Sequence, residues 1–391
     1  MTEMAFGRAA VAPAGEPRLL RWWRTVDRWT LGAVLALVAL GLVIGMAASA
    51  PLAERNGLGP FHYVTRQAAF AALGLALMLG LSMQDLRTVR RLAVLGFLGA
   101  LVATALLPVL GTDFGKGAVR WYSLGFASLQ PSEFLKPAFV GAAAWMMAGA
   151  QDRHGPPGIT LSFLVVTLCA GMLAMQPDFG QAALMLAVWG AMFFVAGAPA
   201  GLLVGLGAAV AGAGAIAYEN SEHFARRIDG FLAAEVDPRT QLGYATHAIQ
   251  EGGFFGVGLG EGSVKNTLPD AHTDFVIAVA AEEYGLLLCL LVIGLFLFIP
   301  VRAFLRLAEE RDAFARLAGT GMAALMGLQA FVNLGVAIRL LPAKGMTLPF
   351  VSYGGSSLLA AGIGMGLLLA ATRKRPQRHV TDLFEDPEGA R

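Results

Sequence analysis

Residues 31–50 read Leu31-Gly32-Ala33-Val34-Leu35-Ala36-Leu37-Val38-Ala39-Leu40-Gly41-Leu42-Val43-Ile44-Gly45-Met46-Ala47-Ala48-Ser49-Ala50. No charge interrupts this run, and a helix needs about 20 apolar residues to cross the hydrocarbon core of a bilayer. Outward from it the pattern recurs at 67–84, 92–111, 132–150, 158–175, 181–199, 200–217, 274–300, 317–338 and 349–372. The ten stretches hold 205 residues but only five of the 56 Asp, Glu, Lys and Arg. The other 186 residues are 27% charged, a level typical of water-exposed chain. The composition predicts an all-α polytopic membrane protein with about ten transmembrane helices. It excludes a soluble enzyme, a secreted disulfide scaffold and a disordered chain. A β-barrel is excluded too, since its strands alternate in hydrophobicity over about 10 residues.

Segment 181–217 is apolar throughout and too long for one helix. Gly197-Ala198-Pro199-Ala200-Gly201 is expected to break it, because Pro removes a helical donor and Gly favours turns. With ten spans both termini lie on one side. The loops on that side carry 18 Lys and Arg, against 10 on the other. The positive-inside rule therefore makes 1–30 a cytoplasmic segment, 31–372 the membrane domain and 373–391 a cytoplasmic tail. It also makes 218–273 a large extracytoplasmic loop between the seventh and eighth spans, aromatic enough to pack. Thirty residues precede the first run, so no cleavable signal is expected. Cys169 and Cys289 fall inside spans, which argues against a structural disulfide, and no cysteine spacing suggests a metal.

Charges inside a membrane are costly and commonly functional. The five are Glu133, Lys136, Asp274, Glu282 and Glu283. Asp274 stands where the long loop becomes the eighth span. It reads either as a helix cap or as a carboxylate at the membrane surface serving as a general base. Glu282 lies about 80° around the helix from it and about 12 Å further along, and Glu283 points the opposite way. Neither shares a site with Asp274 on this reading. Pairing with a Lys or Arg of a neighbouring helix is the expected role of both. Glu133 and Lys136, spaced i,i+3, form either a local pair or a cation held inside the membrane for a phosphate. Arg120 and Lys344 add cations on the outer side. The glycine run Gly256–Gly262 lacks the strand–helix context of a dinucleotide loop and is read as turns.

Four motifs then resemble one family. They are Arg120-Trp121 with Gln130-Pro131-Ser132-Glu133 and Lys136; Gln176-Pro177-Asp178-Phe179-Gly180; Leu268-Pro269-Asp270-Ala271-His272-Thr273-Asp274-Phe275 with Glu282-Glu283-Tyr284-Gly285; and Leu348-Pro349-Phe350-Val351-Ser352-Tyr353-Gly354-Gly355-Ser356-Ser357. In this order, over about 25–375, they resemble the SEDS family (shape, elongation, division and sporulation). The Lys344–Pro349 turn is more like the division branch than the elongation branch. The resemblance implies an enzyme that polymerises lipid II into β-1,4 glycan in the bacterial cytoplasmic (inner) membrane, at the division septum. A class B penicillin-binding protein and other division membrane proteins would be its partners, and nucleic acid would not. By resemblance the essential carboxylate falls on Asp274. Arg120, Gln130, Ser132, Glu133, Lys136, Asp178, His272, Lys344, Ser352 and Tyr353 are the expected substrate-binding residues. The family often has Glu where this chain has Asp270, and Gln where it has Ala245. No cofactor is implied and no metal ligands stand out, though the chemistry leaves room for a divalent cation. The competing classes are a lipid II transporter, whose site would sit near the midplane, and a non-catalytic division scaffold.

Overall fold

The computed structural model describes residues 17–374 except 116, 117, 126, 153, 234–237, 239, 343 and 344. Every apolar stretch becomes a helix. These are α2 (Arg28–Arg55), α3 (His62–Ser82), α4 (Leu86–Leu110), α5 (Pro131–Gly149), α6 (Gly158–Met175), α7 (Phe179–Val195), α8 (Ala200–Asn220), α11 (Val276–Leu307), α12 (Ala313–Ala337) and α13 (Gly355–Ala371). Shorter helices precede and interrupt the series: α1 (Arg18–Thr25), α9 (Glu222–Leu232) and α10 (Gln241–Gly252). Seven of the long helices are extended and apolar enough by themselves to cross a membrane. α7 and α13 are apolar but shorter, and α5 carries the Glu133–Lys136 pair. Two-residue strands Tyr122–Ser123 and Ser128–Leu129 form a hairpin before α5.

The break inside 181–217 falls where expected. α7 ends at Val195, Gly197 turns and Pro199 precedes α8. Several boundaries differ from expectation. The last span was expected from 349, but 349–354 is irregular and α13 starts at Gly355. Tyr353 and Gly354 instead line the cavity described below. α11 runs to Leu307, beyond the predicted end at 300, and α2, α3 and α4 each extend five or six residues past a predicted end.

Helices in lipid gain little from burying apolar surface, so close backbone approach carries the packing. Gly74 of α3 and Gly362 of α13 meet face to face, and a Cβ on Gly362 would collide with the Gly74 backbone. α8 is the opposite case, with no buried residue along its length.

The two ends of the bundle are built differently. At one end Asp27 caps α2, accepting from Trp29 N–H at 3.2 Å and Thr30 Oγ1 at 2.9 Å. Arg302 and Arg306, near the end of α11, reach the same carboxylate at 2.7 and 3.2 Å. Arg306 also donates to the carbonyl of Thr372, Arg373 to Thr25 and Ser82, and the Trp22 indole to Ser82. Both described chain ends therefore meet here.

At the other end the long loop does not stand over the bundle. α10 starts beside Asp270 and ends with Gly252 against Ala281 and Glu282, so it descends alongside α11. The glycine run then turns back. Val257 and Gly258 donate to the carbonyls of Glu282 and Glu283 at 2.9 and 3.2 Å. Gly285, at φ 79°, interrupts α11 and lets the Leu286 N–H donate to Gly253. Only glycine takes that φ without strain. Irregular backbone at membrane depth must find its own partners. Glu282 accepts from the N–H groups of Val264 and Lys265 at 2.7 and 3.0 Å, and Glu283 pairs with the Lys265 side chain. Both glutamates have structural partners, but the expected pairing with a cation of a neighbouring helix is replaced: Glu283 takes its cation from the loop, and Glu282 takes backbone N–H groups of the same loop.

Candidate functional site

A cavity of about 820 Å³ opens among the loops opposite the Asp27 clamp. Its walls come from the start of α3, the hairpin before α5, the α6–α7 turn, the end of the long loop, α12 and the segment 345–357. These are the segments that carry the sequence motifs.

Arg120, Gln130, Glu133, Asp178, His272, Asp274 and Tyr353 all line this one space. Arg120 is fixed by donating to the carbonyls of Gln176 and Pro177 at 2.9 and 2.8 Å. Asp178 caps α7 through the Gln181 N–H and is nearly buried. Burial pushes its carboxyl above the usual carboxylate range, against the opposing charges of Arg120 and Lys136. Gln130 donates its N–H to Ser356 Oγ at 3.0 Å.

α11 begins at Val276, and its cap position is Phe275, which provides no side-chain bond. The turn 272–274 is stitched to the segment 346–353. Tyr353 N–H donates to His272 O at 2.9 Å, Ser352 Oγ donates to Thr273 O, and Asn333 Nδ2 donates to Asp274 O at 2.9 Å and to Met346 O. Ser352 also accepts the Leu348 N–H at 2.9 Å. It is buried and serves the wall without lining the cavity. Gly345, at φ 59°, passes so close that a Cβ there would lie 3.3 Å from Asp274 Oδ2. His272, Tyr353 and Tyr63 form a triangle of rings with centroids 5.6–6.2 Å apart.

Two of the other expected residues lie behind the wall. Ser132 is buried beneath it. Lys136 is 2% exposed and points into the bundle, donating to Glu133 Oε1 at 3.0 Å and Gln329 Oε1 at 3.1 Å. Gln181 donates to the same Glu133 oxygen at 3.1 Å. The reading of Lys136 as a cation presented directly to phosphate gives way to the local pair, because buried charges need partners and this one has two. It reaches the cavity only through Glu133. Lys344 lies outside the described residues.

Arg66, Gln241 and Asn333 also line the cavity and were not singled out from sequence. In the sequence Arg66 reads only as a loop charge. Asn333 follows Gln329 by one helical turn in an apolar span, and two intramembrane amides at that spacing were the signal available. Among the described residues no three of His, Cys, Asp and Glu gather where they would hold a metal ion.

The chain matches the family model of FtsW, RodA and SpoVE, described as cell cycle protein, over residues 28–377. It is 43% identical over 357 residues to a probable peptidoglycan glycosyltransferase FtsW of Caulobacter vibrioides, covering 91% of each chain. To the protein of that name from Halorhodospira halophila it is 39% identical over 378 residues, covering 94% of this chain and 95% of the other. Among solved structures it resembles a chain of a peptidoglycan synthase complex that coordinates polymerization and crosslinking, at 33% identity and TM-score 0.71, covering 89% and 97%. It also resembles the rod shape determining protein RodA of Thermus thermophilus, at 29% identity and TM-score 0.65, covering 90% and 97%. The four sequence motifs, the polar cavity they enclose and these likenesses agree: the chain belongs to the FtsW, RodA and SpoVE family of cell cycle proteins.

Proposed function

We propose that the chain is a peptidoglycan glycosyltransferase of the division branch, which polymerises lipid II at the outer face of the bacterial cytoplasmic membrane. The observation that carries this reading is the convergence of Asp274, Arg120 and Arg66 on one cavity at the end of the bundle away from the termini. With the termini cytoplasmic by the charge rule, the cavity faces outward, where the polymer is built.

In this mechanism Asp274 takes the proton of the acceptor's sugar 4-hydroxyl. The oxygen forms a bond to the donor's anomeric carbon as the bond from that carbon to the lipid pyrophosphate breaks. The α-linked donor becomes a β-linked unit, an inversion that needs one carboxylate base and no covalent intermediate. The leaving group departs as an anion, so the protein's task is to hold phosphates and remove one proton. Arginine suits the first task, since its planar donors match phosphate oxygens. Arg120 is presented from the loop between α4 and the hairpin and is anchored through Nε and Nη2 to the carbonyls of the α6–α7 turn. The Glu133–Lys136 pair supports the cavity wall, which Glu133 lines.

A class B penicillin-binding protein is the proposed partner, consistent with the likeness to a synthase complex that also crosslinks. The division septum is the proposed location, consistent with relatives named FtsW. The clamp of Asp27 with Arg302 and Arg306 at the far end favours an enzyme over a lipid transporter. A transporter's helices must part at each end in turn.

The test is to incubate the purified protein, with and without its cognate penicillin-binding protein, with lipid II and resolve the glycan products. Ladders from the wild type and none from Asp274→Asn support the reading. Robust ladders from Asp274→Asn refute the base assignment. Lipid II flipping without polymerisation refutes the enzyme.

A further inference from the structure

Asn333 sits on α12 and is 3% exposed, at the wall of the cavity. Its amide nitrogen donates twice, to Asp274 O and to Met346 O. Those two carbonyls belong to separate segments, one arriving from the long loop and one from the α12–α13 loop. One turn earlier on the same helix, Gln329 donates to Thr347 O at 3.0 Å while accepting from Lys136. The two amides therefore form a row on one face of α12, pinning the consecutive carbonyls of Met346 and Thr347. Only Asn333 extends the row to the residue bearing the carboxylate.

The Asn333 Oδ1 is buried and takes no hydrogen bond from a described protein group. An apolar residue in its place would leave the Asp274 and Met346 carbonyls short of a donor. The amide holds these two backbone segments at fixed spacing. Asp274 follows directly: with its carbonyl tied to Asn333, the peptide unit is fixed and the side chain is aimed past Gly345.

We propose that Asn333 is a positioning residue that ties Asp274 and the Met346 segment to α12 and thereby sets the aim of the carboxylate. Resting on the base role proposed for Asp274, this makes Asn333 act on the chemistry through Asp274. Mispositioning a reacting group by about 1 Å costs about 10²-fold in rate. A residue that aims the base without binding lipid lowers kcat and spares KM.

The experiment uses the full chain with its cognate penicillin-binding protein and measures glycan synthesis against lipid II concentration and pH. Asn333→Ala removes both donors. Asn333→Asp keeps the shape but turns a carboxyl group toward two carbonyls. Both are expected to lower kcat by about 10²-fold with KM nearly unchanged. Gln329→Ala, which releases the Thr347 carbonyl but leaves Asp274 tied, is the comparison and is expected to lose much less. Thermal melting in detergent identifies a variant that fails to fold. Should Asn333→Ala unfold, Asn333→Ser supplies one donor in a smaller side chain and is expected to fall between wild type and Asp in kcat. A folded Asn333→Ala with wild-type kcat overturns the proposal, as does a loss confined to KM. If Asp274→Asn is inactive while Asn333→Ala is not, positioning fails and the base role stands. If Asp274→Asn is active, the base role itself fails.

Discussion

The two ends of this molecule each hold a carboxyl group near arginine, and the outcomes differ. At the closed end Asp27 is 1% exposed. Burial alone would push its carboxyl up. Hydrogen bonds from Arg302 and Thr30 and the charges of Arg306 and Arg302 outweigh this and hold it below the usual carboxylate range. At the cavity end Asp178 has Arg120 near it, yet burial prevails and its carboxyl is pushed up. The difference lies in what each guanidinium binds. Arg302 and Arg306 donate to the Asp27 carboxylate itself, whereas Arg120 spends its anchored donors on the carbonyls of Gln176 and Pro177. A satisfied ion pair seals one end. At the other, arginine is fixed by backbone and its charge is left for the cavity.

The contrast breaks most visibly if activity and stability do not separate between the ends. Asp274→Asn is expected to reduce polymerisation by about 10²–10⁴-fold, the usual contribution of general-base catalysis, with an unchanged melting temperature. Rates with lipid II and melting curves in detergent check both halves.

Lys136→Ala sharpens the comparison, because Lys136 is bound as tightly as the closed-end arginines although it lies near the cavity. Removing it leaves Glu133 buried with Gln181 as a donor. Breaking a buried pair in this way costs about 3–5 kcal/mol. The double variant Lys136→Met, Glu133→Gln is expected to recover most of that loss. Chemical or thermal denaturation of the three proteins measures it. Full stability in Lys136→Ala would return Lys136 to the candidate phosphate ligands.

Asp27→Ala is expected to cost about 3 kcal/mol, near the low end for a buried pair because both arginines keep some water contact. Activity per folded molecule is expected to persist. Because the Asp27 carboxyl is held low in the folded state, its stabilisation is present above the unfolded value of 3.8 and is lost as pH falls through the lower folded value. The gap between wild type and variant should therefore close in acid, as melting curves on either side of that range would show.

Asp178→Asn has the smallest expected effect and the opposite sign. A carboxyl pushed up on folding favours the native state most below 3.8, and that contribution is lost as pH rises through the folded value. The Asn variant lacks this dependence, and Asn still caps α7. Its melting temperature should gain on the wild type as pH rises from acid toward neutral. A gap independent of pH would show that Asp178 behaves as an ordinary exposed cap.

Much was legible before folding, for a physical reason. A segment that crosses lipid must satisfy its backbone internally and cover itself in apolar side chains, so ten stretches announced ten helices. Gly197 to Gly201 broke the long run because those residues disfavour helix wherever they stand. Asp274, Arg120 and Asp178 were visible because they belong to motifs of chemically distinctive residues, and the structure brings them to one cavity.

What the tertiary structure alone decided was which partner each polar group takes. Lys136 and Arg120 are both cations near a predicted outer boundary, but one turns to Glu133 and Gln329 and the other to backbone carbonyls at the cavity. The loop of 218–273 gave no sign that α10 would descend beside α11, because that path depends on Glu282 and Glu283 supplying partners from a distant helix. Asn333 looked like one polar residue in an apolar span until folding set the carbonyls of Asp274 and Met346 against it. Local sequence determines what a segment must bury. Only the assembled bundle determines which polar groups, far apart in the chain, are left facing one another.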